Sequence, residues 1–321
     1  MHLVTIDEIR VAAETLRNVA VRTPLLPCSW ADPDRPLWLK PENLQPVGAF
    51  KIRGAYHAIA RLAPDARTGV VTYSSGNHAQ AVAYAARAFG VPATIVVQDN
   101  AAPVKIEQTR ALGAEVVVVP LPDRESVAHE IAERRGAVLV PPFDHPHVIT
   151  GQGTVGLEIV EDLPDVDLVL VPISGGGLIS GVATAVKALR PDARVVGVEP
   201  ELSADARDSL AAGEIVHWSP RQRARTVAEG LQSEPSDLTF AHIRKLVDDI
   251  VTVTEDEILD AVATLALRAR LVAEPSGAVT AAAYLNRTEL PAGRTAAVVS
   301  GGNIDPALLA EVLRRRPAAR C

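Results

Sequence analysis

The sequence is poor in cysteine and in positive charge, and each shortage excludes a class of protein. Its two cysteines, Cys28 and Cys321, cannot build a disulfide framework, and neither has a metal-ligating neighbour. The formal net charge of −7 argues against nucleic acid or an anionic membrane surface as a partner. The sequence therefore predicts a protein of the reducing cytoplasm.

Long apolar runs are also absent. No uninterrupted apolar run reaches the ~18 residues that a membrane span needs, so we expect no membrane partner. The chain begins with acidic residues, Asp7 and Glu8, where a signal peptide would carry basic ones, which predicts an unprocessed N-terminus. What is present is a chain of 321 residues with 48% apolar side chains, enough for two lobes with their own cores.

Short β-branched runs alternate with helical patterns along most of the chain. The first series has predicted strands at 69–73, 93–97, 115–119 and 137–140, with helices near 77–89, 103–112 and 124–135. Pro and Gly residues within 141–155 mark a change of lobe. A second series has strands at 167–173, 194–199, 250–253 and 295–299, with a helix near 178–189. This alternation predicts an α/β fold with parallel sheets and crossover helices.

Two capping boxes predict where helices begin. Thr5 with Glu8 predicts a helix over about 5–19, and Thr254 with Glu257 predicts a longer helix that reaches about residue 271. The polar segment 213–238 has no pattern that predicts its structure.

One lysine lies in an unusual local setting. Lys51 follows a loop that contains Pro and Gly, lies between Phe50 and Ile52, and opens a helical pattern. Apolar neighbours predict a desolvated amine with a lowered pKa, which is what imine chemistry with a carbonyl requires. A lone lysine at a helix start more often extends into solvent, so this interpretation depends on the motifs that follow.

The stretch Ser74-Ser75-Gly76-Asn77-His78-Ala79 follows a predicted strand and opens a helix. Exposed amides and hydroxyls at a helix N-terminus can bind an anion such as a carboxylate. The same residue types are also common as plain helix caps, so the stretch alone does not decide between the two.

The stretch Ser174-Gly175-Gly176-Gly177-Leu178 lies between a predicted strand and a helix. Consecutive glycines let backbone amides converge on a phosphate at the positive end of a helix. One interpretation is a loop for a single cofactor phosphate. The other is a dinucleotide loop, because Glu199 ends the next strand where a ribose-binding acid would lie, although the glycine spacing misses that fingerprint by one residue.

Two later stretches carry weaker signals. Ser300-Gly301-Gly302-Asn303 is a Gly-rich turn after a strand. The stretch from Glu199 to Asp205 offers two carboxylates and a carbonyl, which suits a hard cation but is equally typical of surface acid after a strand.

These stretches together resemble the serine/threonine dehydratase and serine racemase family of pyridoxal-phosphate (PLP) enzymes, in the same order along nearly the whole chain. The resemblance implies PLP fold type II, similar to the tryptophan synthase β subunit: a two-lobed α/β architecture with parallel sheets flanked by helices. It places residues 1–60 and 150–321 in a large PLP-binding lobe and residues 61–149 in a small lobe. This chain departs from most members at Ala49, usually Ser, and at Ala79, usually Gly, where a methyl group could narrow the pocket.

The resemblance also implies a role for each matching residue. Lys51 would form the Schiff base with PLP and serve as the catalytic base, with Phe50 behind the cofactor ring. Ser75 matches the acid/base serine of racemases, Asn77 would contact the 3′ oxygen of PLP, and Ser300 its pyridine nitrogen. The remaining matches are the phosphate loop Ser174, Gly175, Gly176, Gly177 and Leu178; the cofactor-lining Gly230 and Glu274; the carboxylate-binding Ser74, Ser75, Asn77 and His78; and the Mg²⁺ or Ca²⁺ ligands Glu199, Ser203 (through its carbonyl) and Asp205. His129 receives no role.

The implied activity is that of an ammonia-lyase that converts L-serine or L-threonine to a 2-oxo acid and ammonia, in a cytoplasmic homodimer. Serine racemisation and 3-hydroxyaspartate dehydration are the alternatives within the family. An NAD-dependent dehydrogenase that uses Glu199 on a ribose is the alternative from another enzyme class. A protein that holds PLP without turnover is the non-enzymatic one.

Overall fold

The computed structural model describes residues 2–62 and 68–315, which form two parallel sheets with helices packed on them. In chain order the elements are α1 (Ile6–Thr15), β1 (Leu26–Pro27), β2 (Leu37–Pro41), α2 (Lys51–Leu62), β3 (Val70–Tyr73), α3 (Asn77–Phe89), β4 (Ala93–Gln98), α4 (Pro103–Ala111), β5 (Glu115–Val119), α5 (Arg124–Arg135), β6 (Val138–Leu139), α6 (Pro146–Asp162), β7 (Leu168–Pro172), α7 (Gly177–Leu189), β8 (Arg194–Pro200), α8 (Asp205–Ala212), α9 (Pro220–Arg223), α10 (Asp237–Leu246), β9 (Asp249–Val253), α11 (Glu255–Thr264), α12 (Pro275–Asn286), β10 (Thr295–Val299) and α13 (Pro306–Arg315).

The predicted motifs lie along the side of each sheet where its parallel strands have their carboxyl ends. The smaller sheet has the order β5-β4-β3-β6 and the larger one β1-β2-β10-β7-β8-β9, and neighbouring strands are parallel except β1 with β2. Ser74, Ser174 and Ser300 each follow the carboxyl end of a central strand, β3, β7 and β10. Ligands of open α/β sheets bind at this edge.

Most predicted elements are confirmed. The capping boxes of Thr5 with Glu8 and of Thr254 with Glu257 are both formed. The predicted helices at 77–89 and 124–135 and the strands at 115–119 and 295–299 have the observed bounds. Buried apolar strands and capped helix starts are local signals, so the sequence predicts them well.

One predicted helix end is wrong and another is confirmed. The first helix ends at Thr15 rather than near 19, and Asn18 in the turn that follows adopts a left-handed conformation. The helix from Thr254 runs to Thr264 and then as a π-helical turn to Ala269, close to the predicted end near 271, and Arg270 then turns left-handed. The segment 213–238 contains the short helix α9 and the beginning of α10.

Residues 141–155, where the sequence predicts a change of lobe, contain the beginning of helix α6. The glycines of this stretch are packing positions within the helix. A Cβ on Gly153 would lie 3.0 Å from the carbonyl oxygen of Gly181, and one on Gly156 would lie 2.7 Å from that of Val182. Glycines on both helices therefore bring α6 and α7 together.

The lobe boundaries at 60–61 and 149–150 stay a prediction. Ala55, Ala58 and Ile59 of α2 pack in the same apolar cluster as Val70 of β3, so α2 touches the smaller sheet as well as α6. Within the described ranges, no helix is long and apolar enough to cross a bilayer.

Candidate active site

Lys51 is the first residue of α2, and its side chain is partly buried. The preceding turn carries left-handed Val47 and Gly48, and the Phe50 N–H donates to the carbonyl of Ser300 (3.1 Å). The Lys51 Nζ donates to the carbonyl of Pro142 (2.7 Å) and lies 5.1 Å from the centre of the Phe50 ring. Desolvation lowers the pKa of Lys51 to about 8, as predicted in direction.

The glycine loop ends β7 and begins α7. Gly176 is left-handed (φ +84°), and Gly177 opens the helix, so the first-turn amides point into the space before it. Ser174 is tied to the neighbouring loop, because its hydroxyl accepts from the Ser233 N–H (2.9 Å) and donates to the Ser233 carbonyl (3.1 Å). The loop has the geometry of an anion site at a helix N-terminus.

Phe143 joins this loop to Lys51, and no sequence pattern beyond Pro141-Pro142 pointed to it. A Cβ on Gly175 would overlap the Phe143 ring, and one on Gly177 would lie 2.8 Å from the Phe143 Cβ. The residue before Phe143 supplies the carbonyl that binds the Lys51 amine. Lys51 and the glycine loop therefore both contact the same short segment, Pro142 with Phe143.

Asn77 lies in a network that fixes its amide. Its Nδ2 donates to Glu274 Oε1 (2.6 Å), and its Oδ1 accepts from Asn303 Nδ2 (2.8 Å), which also donates to the Val47 carbonyl. Burial raises the pKa of Glu274. One N–H of Asn77 remains for a ligand. The structure brings the predicted Asn77 and Glu274 together, whereas the role of Asn303 was missed because it depends on a contact 226 positions away.

The residues predicted to hold a carboxylate divide into two groups. His78 is buried, its Nε2 donates to the Val140 carbonyl (3.0 Å), and burial together with the nearby Lys51 amine lowers the pKa of His78 to about 3. Its side chain is therefore neutral and already bonded. Ser74 accepts from the Gly76 N–H (3.3 Å), and Ser75 is partly exposed before α3. These hydroxyls and the first-turn amides of α3 are the groups that can reach a carboxylate.

The two departures from the family pattern face the protein rather than the solvent. Ala79 is fully buried in the apolar cluster that includes Ala55 and Val82. Ala49 is fully buried and pairs with Gly301 in an antiparallel bridge. The methyl group of Ala79 thus fills the core beneath α3.

Ser300 and Gly230 meet at Ser276. The Ser300 hydroxyl donates to the Ser276 carbonyl (3.4 Å), and the Gly230 N–H donates to the Ser276 hydroxyl (2.9 Å). Ser300 is buried at the end of β10. This places the predicted ring-nitrogen contact and the predicted lining glycine around one residue that sequence reasoning did not single out.

Glu199 and Asp205 form a separate buried acidic pair after β8. The Glu199 carboxylate accepts from the N–H groups of Ala206 (3.2 Å) and Arg207 (2.9 Å), and burial with the neighbouring Asp205 raises its pKa well above the ordinary range. Burial raises the pKa of Asp205 to about 6, and its Oδ2 has no hydrogen-bond partner among the described residues. An unpartnered buried carboxylate oxygen fits a hard cation.

Other features limit what this acidic pair can do. The hydroxyl of Ser203 donates to the carbonyl of Leu231 (2.8 Å), so the pair borders the turn that holds Gly230. In the part of the chain that the structure describes, no three His, Cys, Asp or Glu side chains converge as a metal site. Glu199 is buried and bonded to amides, so it is not presented to a ribose as the dinucleotide interpretation requires.

Comparisons with known proteins agree with this geometry. A family model described as pyridoxal-phosphate dependent enzyme matches residues 16–301. L-threonine ammonia-lyase of Thermotoga maritima is 46% identical, over 98% of this chain and 79% of the relative. L-threo-3-hydroxyaspartate ammonia-lyase of Saccharomyces cerevisiae is 39% identical, over 94% of each. The solved structure of maize serine racemase superposes with a TM-score of 0.92 at 38% identity, over 98% of each chain.

The superposition confirms the fold type, and the matched length includes Lys51, the glycine loop and Ser300. The dehydrogenase alternative has no support from either the comparisons or the position of Glu199. The chain belongs to the family of pyridoxal-phosphate-dependent enzymes.

Proposed function

We propose that the protein is a PLP-dependent ammonia-lyase that acts on small β-hydroxy amino acids, L-threonine and L-serine first. The observation that carries the proposal is the Lys51 amine, which is desolvated and is linked through Pro142 and Phe143 to the glycine loop. The 46% identical relative, an L-threonine ammonia-lyase, supports the choice of reaction.

The residues present fit the cofactor. The first-turn amides of α7 with Gly175 and Gly176 would hold its phosphate, Phe50 would lie against its ring, and Asn77 would donate to its 3′ oxygen. Ser300 would donate to the ring nitrogen, and a hydroxyl is too weak an acid to keep that nitrogen protonated. When bound, PLP supplies an aldehyde that condenses with amines and a ring that withdraws electrons.

The chain's own residues then divide the work of elimination. The hydroxyls of Ser74 and Ser75 and the amides of α3 hold the substrate carboxylate. The Lys51 Nζ, with a pKa near 8, accepts the α-proton. The substrate loses its β-hydroxyl as water, and hydrolysis of the released product gives a 2-oxo acid and ammonia.

The test is keto-acid production by the purified, PLP-loaded protein with L-threonine and L-serine. The Lys51→Ala variant is expected to lose the visible absorption of the bound cofactor and all detectable turnover, because no other amine occupies that position. Lys245→Ala, which removes an exposed lysine, is the matched control and should keep both. A Lys51→Ala protein that still makes keto acid would overturn the proposal.

Two relatives support a second activity at the same site, since one is a serine racemase and another an L-threo-3-hydroxyaspartate ammonia-lyase. Chiral analysis of serine after incubation, and keto-acid assays with 3-hydroxyaspartate, separate these activities from threonine deamination. A rate for either that exceeds the rates with threonine and serine would change the assigned substrate. A protein that loads PLP but turns over none of these amino acids would be a binding protein.

We also propose a bound Mg²⁺ or Ca²⁺ at Glu199, the Ser203 carbonyl and Asp205. The support is the unpartnered Asp205 Oδ2 and the like charge of Glu199 beside it. Cation binding should raise the thermal unfolding midpoint of the wild type but not of Asp205→Asn, because only the wild type has two carboxylates to neutralise. Equal midpoints with chelator and with added cation would exclude the site.

A cytoplasmic homodimer completes the proposal. Cys28 is a free thiol, and burial raises its pKa to about 12, which suits a reducing compartment. Leu44 and Val272 are exposed apolar side chains. They are brought near each other because Asn43, next to Leu44, donates through Nδ2 to the Val272 carbonyl (3.0 Å). We propose that this exposed apolar pair lies in the dimer interface. Analytical ultracentrifugation should find a dimer that Leu44→Asp weakens, and a monomeric wild type would contradict this.

A further inference from the structure

Four charged side chains, three of them buried and one partly buried, lie beside the first turn of α2 and have no part in the proposed reaction. They are Arg53, Glu42, Glu158 and Lys40, here called the buried ion network. Arg53, Glu42 and Lys40 are at most 1% exposed. Lys40 Nζ and Arg53 Nη1 each lie 2.6 Å from an oxygen of Glu158, and Arg53 Nε lies 2.8 Å from Glu42.

Arg53 is the centre of this network, and its guanidinium uses all its donors. It binds Glu42 through Nε and Nη2 (2.8 and 2.9 Å) and Glu158 through Nη1 and Nη2 (2.6 and 2.9 Å). Nη1 also donates to the Thr154 hydroxyl (3.0 Å), and Nη2 to the Val21 carbonyl (3.2 Å). A planar guanidinium group bound by two carboxylates can rotate little without losing hydrogen bonds.

The network joins the segments that place Lys51. Arg53 lies two residues after Lys51, Glu42 lies in the turn after β2, and Glu158 lies on α6. The carbonyl that binds the Lys51 amine belongs to Pro142, just before α6. Gly54 donates its N–H to Gln152 of α6 (3.2 Å), and a Cβ on Gly54 would lie 2.8 Å from the Val148 carbonyl, so α2 and α6 are in close contact.

A stabilising role does not explain so many buried charges, because apolar side chains of similar volume usually stabilise a core as well as a buried ion network does. The charges also balance: Arg53 and Lys40 against Glu42 and Glu158. Desolvation is the cause of the lowered pKa of Lys51. A network of directional contacts with no net charge can fix the position of the Lys51 amine, but it has little effect on the pKa of that amine through charge.

We propose that Arg53, held by Glu42 and Glu158, is a positioning residue that fixes the first turn of α2 so that the Lys51 amine stays in its desolvated place beside Pro142. The inference rests on the proposed function for its kinetic consequence only. Its structural consequence, the placement of the amine, is measurable in the protein without PLP.

The first experiment compares Arg53→Lys, which keeps the charge and loses the fork, with wild type. A displaced amine predicts a fall in kcat of about 10- to 100-fold, with a threonine KM that changes by less than about threefold. Arg22→Lys is the matched control, because Arg22 also binds two acids of α6, Glu161 and Asp162, but is half exposed. The control should keep wild-type kcat.

The second experiment is competitive chemical labelling of lysines in the PLP-free protein as a function of pH. If Arg53 places the amine, Arg53→Met and Glu158→Gln both expose Lys51 to water, and both raise the midpoint of its labelling profile. If the network acted through charge, Arg53→Met would raise the midpoint and Glu158→Gln would lower it. Midpoint shifts of opposite sign in Arg53→Met and Glu158→Gln would overturn the proposal. An Arg53→Lys variant with the wild-type labelling midpoint and the wild-type kcat would also overturn it.

Two controls keep these outcomes distinct. Should Arg53→Met fail to fold, judged by circular dichroism, Thr154→Val removes one acceptor of the guanidinium at constant volume and should raise the labelling midpoint by a smaller amount. An unchanged midpoint in Thr154→Val with an intact fold counts against the proposal. If the wild type makes no keto acid, the proposed function fails, whereas the labelling comparison still decides the role of Arg53.

Discussion

Lys51 must be uncharged when it reacts, and its surroundings contain little that would hold it charged. Its amine bonds to a carbonyl oxygen rather than to a carboxylate. The Lys51 amine in turn helps to keep the buried His78 neutral, since burial and that amine lower the pKa of His78 to about 3. Burial alone lowers the pKa of Lys51 to about 8.

We propose that Ser75 determines whether the site can also racemise serine. It is partly exposed in the turn before α3, whereas the neighbouring His78 is buried with its Nε2 bonded to the Val140 carbonyl. Removing a positioned acid/base group costs about 10²- to 10⁴-fold in the step that it serves. We predict that Ser75→Ala lowers D-serine formation by about that factor, while keto-acid formation stays within a few-fold of wild type, as measured by chiral chromatography and a keto-acid assay.

Ser74→Ala is the control for this prediction, because it removes the adjacent hydroxyl and leaves Ser75 in place. It should weaken substrate binding without abolishing D-serine formation. If Ser75→Ala lowers both products equally, Ser75 serves binding rather than proton transfer.

At the scale of elements, the sequence predicted what local patterns determine and missed what distant contacts determine. Strand β10 and helix α3 were predicted with correct bounds because β10 is a short buried apolar run and α3 is an apolar helical pattern between Gly76 and Gly90. The beginning of α6 was not predicted as a helix, since its prolines and glycines were interpreted as a change of lobe, and nothing local shows that α7 packs against those glycines.

The same distinction holds within the candidate site. Lys51, Asn77, Ser300 and the glycine loop were found because each motif is contiguous in sequence. Phe143, Asn303 and the partners of Arg53 were missed, because each acts through a side chain that folding brings from far along the chain. Short motifs therefore identify the groups that do chemistry, and the groups that position them need coordinates.

The contact between α6 and α7 gives a prediction at the same scale. A Cβ on Gly181 would lie 2.5 Å from the Gly153 nitrogen, and backbone cannot move aside as a flexible side chain can. We expect Gly181→Ala to lower the free energy of unfolding by about 3 kcal/mol, measured by urea denaturation. It should also weaken PLP uptake, because α7 begins at the glycine loop.

Gly213→Ala is the matched substitution. Gly213 is left-handed (φ +76°) and has open space around its Cα, so alanine there should cost only about 1 kcal/mol of backbone strain. Equal losses at the two positions would show that the close approach of α6 and α7 is not the cause.

At the scale of the whole molecule, contacts from both sheets meet around the site. Asn77, after the smaller sheet's β3, bonds to Glu274 and Asn303 beside the larger sheet. Lys105 of α4 lies 2.6 Å from Glu229, next to Gly230. The Lys105 pair is largely exposed and contributes little stability alone, so the buried Asn77 network is the stronger connection between the two sides.

Several histidines couple the stability of the molecule to pH. Burial lowers the pKa of His57 to about 4 and of His78 to about 3, from an ordinary value of 6.5. At these two side chains the unfolded chain therefore binds more protons than the folded one between pH 6.5 and 4. Because stability rises with pH wherever the unfolded state binds more protons, the stabilisation that comes from the neutral His57 and His78 is fully present above pH 6.5 and is lost as the pH falls through this window.

We predict that the free energy of unfolding falls by roughly 1 to 3 kcal/mol per pH unit between pH 6.5 and 4, measured by urea denaturation at each pH. His57→Phe replaces one buried imidazole with a ring of similar size, so it should reduce this slope by about 1 kcal/mol per pH unit. His129→Gln, at an exposed position of α5, should leave the slope unchanged. A His57→Phe slope equal to that of wild type would mean that His57 is not kept neutral by burial, and that acid unfolding begins at other groups.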